Sequence, residues 1–401
     1  MKKSHIDWCP VIPDHWEEKR IKDIAFLQSG NSITAMDIAE EGNYPVYGGN
    51  GLRGYTNNYT NDGDYVLIGR QGALCGNINY AYGKFYATEH AVVVYTKNEE
   101  ITYWLGETLK AANLYRLSMT AAQPGLAVST LNIQFIPYPP RKERIRIANY
   151  LAEKCTEIDH QESLLTSKRD AYLRLKKSII NHAVTRGLNP NVKMKDSGIE
   201  WIGEVPEHWE VKRMKDIFFE RKELSLTGEE DLLSVSEFYG VARRKDKMNS
   251  DEEFESRADS LVGYKICKAH DLVINIMLAW KTGLGISDND GIVSPAYAVY
   301  EGRNIASHFY HYLLRSGMYV KEFKRHSKGI IDSRLRLYND RFNNISAIYP
   351  PLPEQRVIAT YLDDKCAKID TIVSNLDKQI SRYADLKRSL IDEVITGKRA
   401  V

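Results

Sequence analysis

The sequence predicts an α/β (α+β) protein: two mixed α/β domains in tandem, each followed by a long helix, with the helices pairing as an antiparallel coiled coil of pseudo-twofold symmetry. Three observations predict this fold class. The 401-residue chain contains one start motif twice, one end motif twice, and a heptad pattern of apolar residues after each end. The segments between start and end differ in sequence, so one repeated frame holds two unlike inserts.

The start motif occupies residues 6–26 and recurs 193 positions later at residues 199–219. Each copy contains Pro-x-His-Trp-Glu and, shortly after it, Lys-Arg-x-Lys-Asp-Ile. The end motif occupies residues 139–159 and recurs 211 positions later at residues 350–370. The chain is therefore a tandem duplication. We assign globular domains to residues 1–142 and 188–352, and helices to residues 143–187 and 353–401.

Apolar residues follow a heptad pattern in both predicted helices. In the second copy, nine of the ten a/d positions are apolar or aromatic, and these positions are Leu362, Cys366, Ile369, Val373, Leu376, Ile380, Tyr383, Lys387, Leu390 and Val394. In the first copy seven of ten qualify, at Leu151, Cys155, Ile158, Glu162, Leu165, Arg169, Tyr172, Lys176, Ile179 and Ala183. A heptad sustained over five repeats is typical of a coiled-coil helix.

Prolines precede both helices, and Glu143 and Glu354 fall in the first turns, where a negative charge is favourable. Each helix of about 44 residues would be roughly 66 Å long. A compact domain of about 150 residues is only about 40 Å across, so it cannot return the chain along the first helix. The second helix should therefore start where the first ends, which makes the pair antiparallel. A zipper between separate chains is the alternative.

Composition favours an ordinary globular protein of a reducing compartment such as the cytoplasm. Apolar residues make up 43% of the chain and charged residues 27%, and no apolar run approaches the roughly 20 residues of a membrane helix. The N-terminal residues lack the apolar segment of a secretory signal. The five cysteines include no CxxC, which argues against disulfides and zinc fingers. Cys155 and Cys366 occupy equivalent apolar positions, so we expect both to be buried.

Charge is distributed unevenly although the formal net charge is only +2. The first insert, residues 27–135, has six Lys/Arg and nine Asp/Glu, whereas the second, residues 220–346, has nineteen of each. Eight basic residues and three acidic ones lie between Arg315 and Arg341. This basic segment is either a surface that contacts phosphates or a solvated helix face.

Both inserts have patterns typical of mixed α/β structure. In the first insert we predict strands at residues 65–68, 84–86 and 91–95 and a helix at residues 101–119. In the second insert we predict strands at residues 271–277 and 296–300 and a helix at residues 308–324.

The common catalytic motifs are missing. Residues 49–54 match GxGxxG, but turn-forming residues follow them where a dinucleotide-binding fold needs a helix. The chain has no P-loop, no HExxH and no [DN]PP[YF]. The Asp-Asp-Lys run at residues 363–365 has a nuclease-like spacing but falls on the surface of the heptad helix. No catalytic residue and no metal site is therefore predicted on this chain.

The inserts instead place amide, basic and aromatic side chains beside glycine-rich loops. Such side chains hydrogen-bond base edges and phosphates in nucleic acids, although the same residues also build turns and fill cores. The candidate DNA-binding residues are Asn50, Arg53, Arg70, Gln71, Thr88, His90 and Gln123 in the first insert and Arg243, Arg244, Lys247, Lys281, Ser294, Tyr297, Lys328, Arg334 and Arg336 in the second.

These features resemble the specificity subunit of type I restriction–modification enzymes. The paired starts at residues 12–17 and 205–210 and the paired ends at residues 139–148 and 350–359 carry the resemblance. Stretches at residues 64–88 and 291–297 also look like target recognition domains. The first copy departs from the family pattern, because it has Arg-Lys-Glu-Arg where the usual run is close to Leu-x-Glu-Gln.

The resemblance implies that each insert is a target recognition domain that reads one half of an asymmetric bipartite DNA site. The helices would set the spacing and dock two methyltransferase subunits, and two restriction/translocase subunits would add cleavage. S-adenosylmethionine, ATP and Mg²⁺ would bind to those partners, and this chain would carry no cofactor and no chemistry.

Two functions of other classes compete with this interpretation. The chain could be a non-catalytic scaffold that spaces two protein-binding domains on a coiled coil, or an enzyme with a site in one insert. The basic segment favours DNA over the scaffold, and the missing motifs disfavour the enzyme.

Overall fold

The computed structural model describes residues 1–97, 101–118, 125–246 and 260–401. The chain divides into two compact units. Unit 1 comprises Met1–Thr166 and Asp377–Val401, and unit 2 comprises Ser167–Leu376. This division differs from the four-part division predicted from the sequence, because each long helix contributes one part to each unit.

The elements of unit 1 in chain order are β1 (Lys2–Ile6), β2 (Cys9–Ile12), β3 (Glu17–Arg20), α1 (Ile21–Ile24), β4 (Ala25–Ser29), β5 (Tyr44–Gly48), β6 (Gly51–Thr56), β7 (Asn61–Asp62), β8 (Tyr65–Gly69), β9 (Ile78–Ala81), β10 (Lys84–Ala87), β11 (Ala91–Thr96), α2 (Thr102–Ala111), α3 (Val128–Asn132), β12 (Phe135–Tyr138) and the first part of α4 (Arg141–Arg186).

The elements of unit 2 are the rest of α4, then β13 (Met194–Asp196), β14 (Glu204–Pro206), β15 (Glu210–Arg213), α5 (Met214–Ile217), β16 (Phe218–Glu220), β17 (Leu233–Ser236), β18 (Gly240–Arg243), β19 (Lys265–Cys267), β20 (Leu272–Asn275), β21 (Leu284–Ile286), β22 (Gly291–Val293), β23 (Tyr297–Gly302), α6 (Ser307–Leu314), α7 (Gly317–His326), α8 (Asn339–Phe342), β24 (Ser346–Tyr349) and the first part of α9 (Leu352–Ile395). The rest of α9 belongs to unit 1.

Both units contain a four-stranded antiparallel sheet with the same connectivity. The strand order is β4-β11-β8-β9 in unit 1 and β16-β23-β20-β21 in unit 2. In each unit the first of these strands begins in the last two residues of the start motif, and the central strands are buried apolar runs. The two inserts differ in sequence, but the central sheet of each has the same strand order. The other strands of the inserts are arranged differently, as β6-β5-β10-β7 in unit 1 and as the pairs β17-β18 and β19-β22 in unit 2.

The predicted strands are present, but both predicted insert helices are shorter than expected. The helix predicted at residues 101–119 ends at Ala111, because Asn113 adopts a left-handed conformation with φ 45°; residue 119 lies outside the described ranges. The helix predicted at residues 308–324 is two helices, α6 and α7. They are separated at Ser316, whose ψ of 151° is extended.

The start of unit 1 is hydrogen-bonded to the start of its long helix. Trp16 is buried, and its Nε1 donates to Oε2 of Glu143 at 2.8 Å. His15 Nε2 lies 2.8 Å from Oε1 of the same carboxylate. Burial raises the pKa of Glu143, but the hydrogen bonds from Trp16 and His15 outweigh burial, and the net shift of the pKa is downward. Glu143 therefore stays ionised, as the N-terminus of a helix prefers.

The same contacts recur in unit 2. Trp209 is fully buried, and its Nε1 donates to Oε2 of Glu354 at 3.0 Å. His208 Nε2 lies 2.7 Å from the same oxygen. The two motifs that are repeated in the sequence are thus the two sides of one contact, which joins the first and last parts of each copy.

The first copy has Arg144 where the second has Gln355, and the two side chains make equivalent hydrogen bonds. Gln355 Nε2 donates to the carbonyl of Pro350 at 2.7 Å, and Gln355 Oε1 accepts the amide of Ala306. Arg144 occupies the corresponding position in the first copy, and its Nη1 donates to the carbonyl of Pro139 at 2.7 Å. Both side chains are buried. A guanidinium and an amide therefore satisfy the same proline carbonyl.

The helical segments run antiparallel within unit 1. Lys387 of α9 pairs with Asp159 of α4 at 2.7 Å. Gly397, just beyond the end of α9, lies against Trp16, near the start of α4. Leu390 and Val394 join the hydrophobic core of this unit.

Unit 2 shows the same arrangement with the roles of the helices exchanged. Lys176 of α4 pairs with Asp370 of α9 at 2.6 Å, and Gly187 lies against Trp209. Asp159 and Asp370 are equivalent in the repeat, as are Lys176 and Lys387. The predicted antiparallel pairing therefore holds within each unit. The a/d positions are buried or half-buried throughout, including Cys155 and Cys366 as predicted.

Glu354→Ala is expected to destabilise unit 2 by about 1–3 kcal/mol, because the buried Trp209 indole loses its acceptor. Glu210→Ala is the matched control, since that carboxylate is exposed and its removal should cost less than about 1 kcal/mol. Hydrogen exchange of the β20 and β23 amides measures the difference. Equal effects of the two variants would show that the Trp–Glu hydrogen bond contributes no stability.

Candidate nucleic-acid interface

The candidate residues of unit 1 gather at one edge of its central sheet. We call the edge where β8 ends and β11 begins the loop edge of unit 1. Arg70 and Gln71 follow β8, and His90 precedes β11. The amide of Arg70 donates to the carbonyl of His90 at 2.9 Å, and Gly49 packs against both segments. The sequence-distant loops thus form one surface.

Polar side chains face outward from this loop edge. Asn50 is exposed at the turn between β5 and β6, and its Oδ1 accepts a hydrogen bond from Asn77 at 3.3 Å. Arg53 is exposed, and its aliphatic part covers Gly48. Arg70 is half-buried, and its Nη1 donates to Ser29 Oγ at 3.2 Å. Amide and guanidinium groups are therefore held at the surface by neighbouring loops.

Two candidates in unit 1 differ from the others. Thr88 is fully buried, and its hydroxyl accepts the amide of His90 at 3.3 Å. Its side chain supports the loop from inside, so the expectation that it contacts DNA directly does not agree with its position. Gln123 lies outside the described residues, as does Lys247 of the second insert.

The loop edge of unit 2 is the corresponding place, where β20 ends and β23 begins. Asn275, the last residue of β20, pairs with Tyr297, the first residue of β23. Ser294 lies in the turn before β23, and its carbonyl accepts the amide of Tyr297 at 2.9 Å. Burial raises the pKa of the Tyr297 phenol, and the nearby charge of Arg244 partly offsets this rise. Three candidates are thus adjacent here.

The loop after β20 carries a cation–aromatic group that was not among the predicted residues. Trp280 lies close to two ammonium groups, with Lys281 Nζ 4.9 Å and Lys324 Nζ 5.0 Å from its ring. Only Lys281 was a candidate. The Trp-Lys dipeptide in a glycine-containing loop could have indicated this group, but Lys324 lies on a separate helix. An indole beside a cation is suited to bases and phosphates together. Lys324 Nζ also lies 3.0 Å from Asp332, which limits its use for phosphate.

The remaining basic candidates are partly neutralised or lie on a neighbouring loop. Arg243 Nε lies 3.3 Å from Asp231, which limits its use for phosphate. The backbone of Lys328 pairs with that of Arg336. Between them, Arg334 is exposed. This loop joins the loop edge through the amide of Leu337, which donates to the carbonyl of Ile276 at 2.8 Å.

Arg315 has a structural role, so the basic segment is not one continuous charged surface. Its Nη1 donates to the carbonyls of Thr282 and Leu284, both at 2.7 Å. Its Nη2 donates to the carbonyls of Glu237 and Phe238 at 3.0 and 3.1 Å. Burial lowers the pKa of Arg315. The guanidinium therefore ties the β17-β18 turn to the loop after β20.

His311 supports the same region as a neutral side chain. Burial, followed by the charge of Arg315, lowers the pKa of His311 to about 4. Its Nδ1 accepts the amide of Ile286 at 3.4 Å, and its ring packs against Gly240 and Gly285. A protonated imidazole beside Arg315 would place two cations together, so the neutral form is required here.

The described part of the chain contains no group of three or more His, Cys, Asp or Glu side chains suited to a metal ion. No helix in these ranges is long and apolar enough to cross a membrane. The two loop edges carry amide, basic and aromatic side chains suited to recognition. These features are typical of a protein with two different binding surfaces on one repeated frame.

Comparison with known proteins identifies the family. The model of the type I restriction modification DNA specificity domain matches residues 13–164 and 206–382. The EcoprrI specificity subunit of Escherichia coli is 42% identical over 139 residues, which are 34% of this chain and 35% of that protein. The MjaVIII specificity subunit of Methanocaldococcus jannaschii is 23% identical over 418 residues, covering 96% and 93% of the two chains.

A solved structure supports the fold. A chain from work on complex assembly and conformational transition of the type I R-M system has a TM-score of 0.68 at 13% identity, with 97% of this chain and 100% of that chain covered. This chain belongs to the type I restriction modification DNA specificity domain family. The predicted family and its recognition role, which is not catalytic, are confirmed.

Arg315→Ala is expected to loosen the β17-β18 turn, because four carbonyls lose a charged donor. Each carbonyl that finds no other donor should cost about 1–3 kcal/mol of stability. Hydrogen exchange in residues 233–243 and 277–284 should rise. Arg334→Ala, which removes an exposed cation, should leave this exchange unchanged. Unchanged exchange in Arg315→Ala would indicate that Arg315 acts as a surface charge instead.

Proposed function

We propose that this chain is the DNA-specificity subunit of a type I restriction–modification complex and that it binds an asymmetric bipartite site. Each unit reads one half of the site through its loop edge. The observation that carries this proposal is the pairing of one central sheet order with two unlike loop edges. Because the repeated frame is the same in both units, each loop edge has the same place in its unit. The side chains on the two edges differ, which favours two different half-sites.

The chemistry of the two edges supports different readings. The loop edge of unit 1 presents the amide of Asn50 and the guanidinium groups of Arg53 and Arg70, which suit base edges in the major groove. The loop edge of unit 2 presents Lys281 beside Trp280, which suits phosphate and aromatic contacts. The two halves of the site are proposed to lie near one helical turn apart, roughly 34–36 Å.

The catalytic steps are proposed to belong to partner subunits. Two methyltransferase subunits would dock on this chain and bind S-adenosylmethionine, and two restriction/translocase subunits would use ATP and Mg²⁺. The assembly would work in the cytoplasm, where the chromosome lies. The first insert has more acidic than basic residues, so partner subunits would supply much of the charge that neutralises phosphates. The isolated chain should therefore bind random duplex weakly at physiological salt.

Exchange of the second insert tests the division of the site. Residues 214–349 would be replaced by the matching segment of a relative, with residues 199–213 and 350–370 retained. Methylome sequencing of a host that also expresses the partner subunits should show a new second half-site and an unchanged first half-site. Exchange of residues 21–138 is the matched control and should change only the first half. A change in both halves after either exchange would contradict the proposal.

Lys281→Ala is expected to weaken binding of the assembled complex to all sequences about equally. One lost phosphate contact should reduce the slope of log K against log salt by about 0.9. Lys195→Ala, an exposed lysine on β13 away from the loop edge, should not alter the slope. Fluorescence anisotropy over a salt series measures both. An unaltered slope in Lys281→Ala would exclude a phosphate contact by this side chain.

A further inference from the structure

Phe238 is an exposed aromatic residue at the turn between β17 and β18. Its side chain is 90% exposed. Single exposed apolar residues are common on protein surfaces, so exposure alone indicates little. The main chain that carries Phe238 provides the second observation.

The turn is fixed on both sides of this residue. The amide of Phe238 donates to Ser236 Oγ at 3.1 Å, and its carbonyl accepts from Arg315 Nη2 at 3.1 Å. The preceding carbonyl, of Glu237, accepts from Thr282 Oγ1 at 2.7 Å as well as from Arg315. The half-buried guanidinium of Arg315 thus holds the main chain of this turn in place, and a fixed turn loses less conformational entropy than a mobile one when its exposed ring binds.

The position of the turn links Phe238 to the proposed DNA surface. Thr282 belongs to the loop after β20, two residues beyond Trp280 and next to Lys281. The equivalent edge of unit 1 also carries a hairpin turn, between β5 and β6, but the exposed side chain there is Asn50. One turn presents a hydrogen-bonding amide and the other an apolar ring.

We propose that Phe238 contacts a thymine methyl group in the half-site read by unit 2, an inference that rests on the proposed function. A phenyl ring can neither donate nor accept a conventional hydrogen bond. Among the groups that base pairs present in the major groove, the thymine methyl is the apolar one. Phe238 is therefore a specificity residue, which favours an A·T pair at one position of the half-site.

The test uses the assembled complex and a duplex that contains its mapped site. Each thymine of the second half-site is replaced singly by deoxyuridine, which lacks only the methyl group. For wild type, one replacement should slow methylation about fourfold at subsaturating DNA, the effect of one buried methyl group. Phe238→Ala should slow methylation of the natural duplex at least as much, and that deoxyuridine should then have no further effect.

The controls separate a base contact from a folding defect. Phe219→Ala removes an exposed aromatic residue at the opposite end of the central sheet, where Phe219 pairs with Glu301, and it should methylate like wild type. Phe238→Leu keeps an apolar side chain and should retain most of the sensitivity to deoxyuridine. Thermal unfolding of Phe238→Ala and Phe238→Leu should match wild type, because Phe238 is exposed.

Each outcome decides the inference. The inference would be overturned if Phe238→Ala methylated at the wild-type rate. It would also be overturned if, at every thymine, the losses from Phe238→Ala and from deoxyuridine multiplied independently. A loss in Phe238→Ala without sensitivity to any deoxyuridine would indicate stacking on a base and would also overturn the methyl contact. A wild-type complex that methylates no bipartite site would instead defeat the proposed function itself.

Discussion

A buried indole is stabilised when its N–H finds an acceptor in the protein, and in each unit a glutamate in the first turn of a long helix is that acceptor. Trp16 with Glu143 and Trp209 with Glu354 connect residues 127 and 145 positions apart. The acceptor is also favoured where it stands, because a carboxylate at a helix N-terminus is stabilised by the helix dipole. The contact thus closes each unit and sets where its helix departs.

Because the frame is closed by these contacts, the insert between them can vary. The central sheet keeps one strand order in both units, although the buried strands share little sequence. What differs is the loop edge, where Asn50 and Arg70 stand in unit 1 and Trp280 and Lys281 in unit 2. Arg144 and Gln355 illustrate the same separation within the frame, since different side chains satisfy equivalent proline carbonyls.

Much of this fold follows from local sequence patterns, and the remainder depends on contacts between distant residues. The heptads predicted both long helices, because a/d periodicity is a local property. The break between α6 and α7 was not predictable, since Arg315 turns toward carbonyls more than 30 positions away. Thr88 was chosen for its residue type, yet it lies between β10 and β11 with its side chain buried. The shared strand order was not predictable from the sequence either, because it depends on which strands are hydrogen-bonded to each other and not on residue identity.

Unit 1 is built from two separate stretches of the chain, and this has a consequence for its folding during synthesis. Residues 167–376 of unit 2 are contiguous, whereas unit 1 needs residues 377–395 of α9 for its core. Domains generally fold in order from the N-terminus as they leave the ribosome. Here the N-terminal unit is completed last, after the whole of unit 2 has emerged. A chain interrupted before α9 ends therefore leaves apolar surface of unit 1 uncovered.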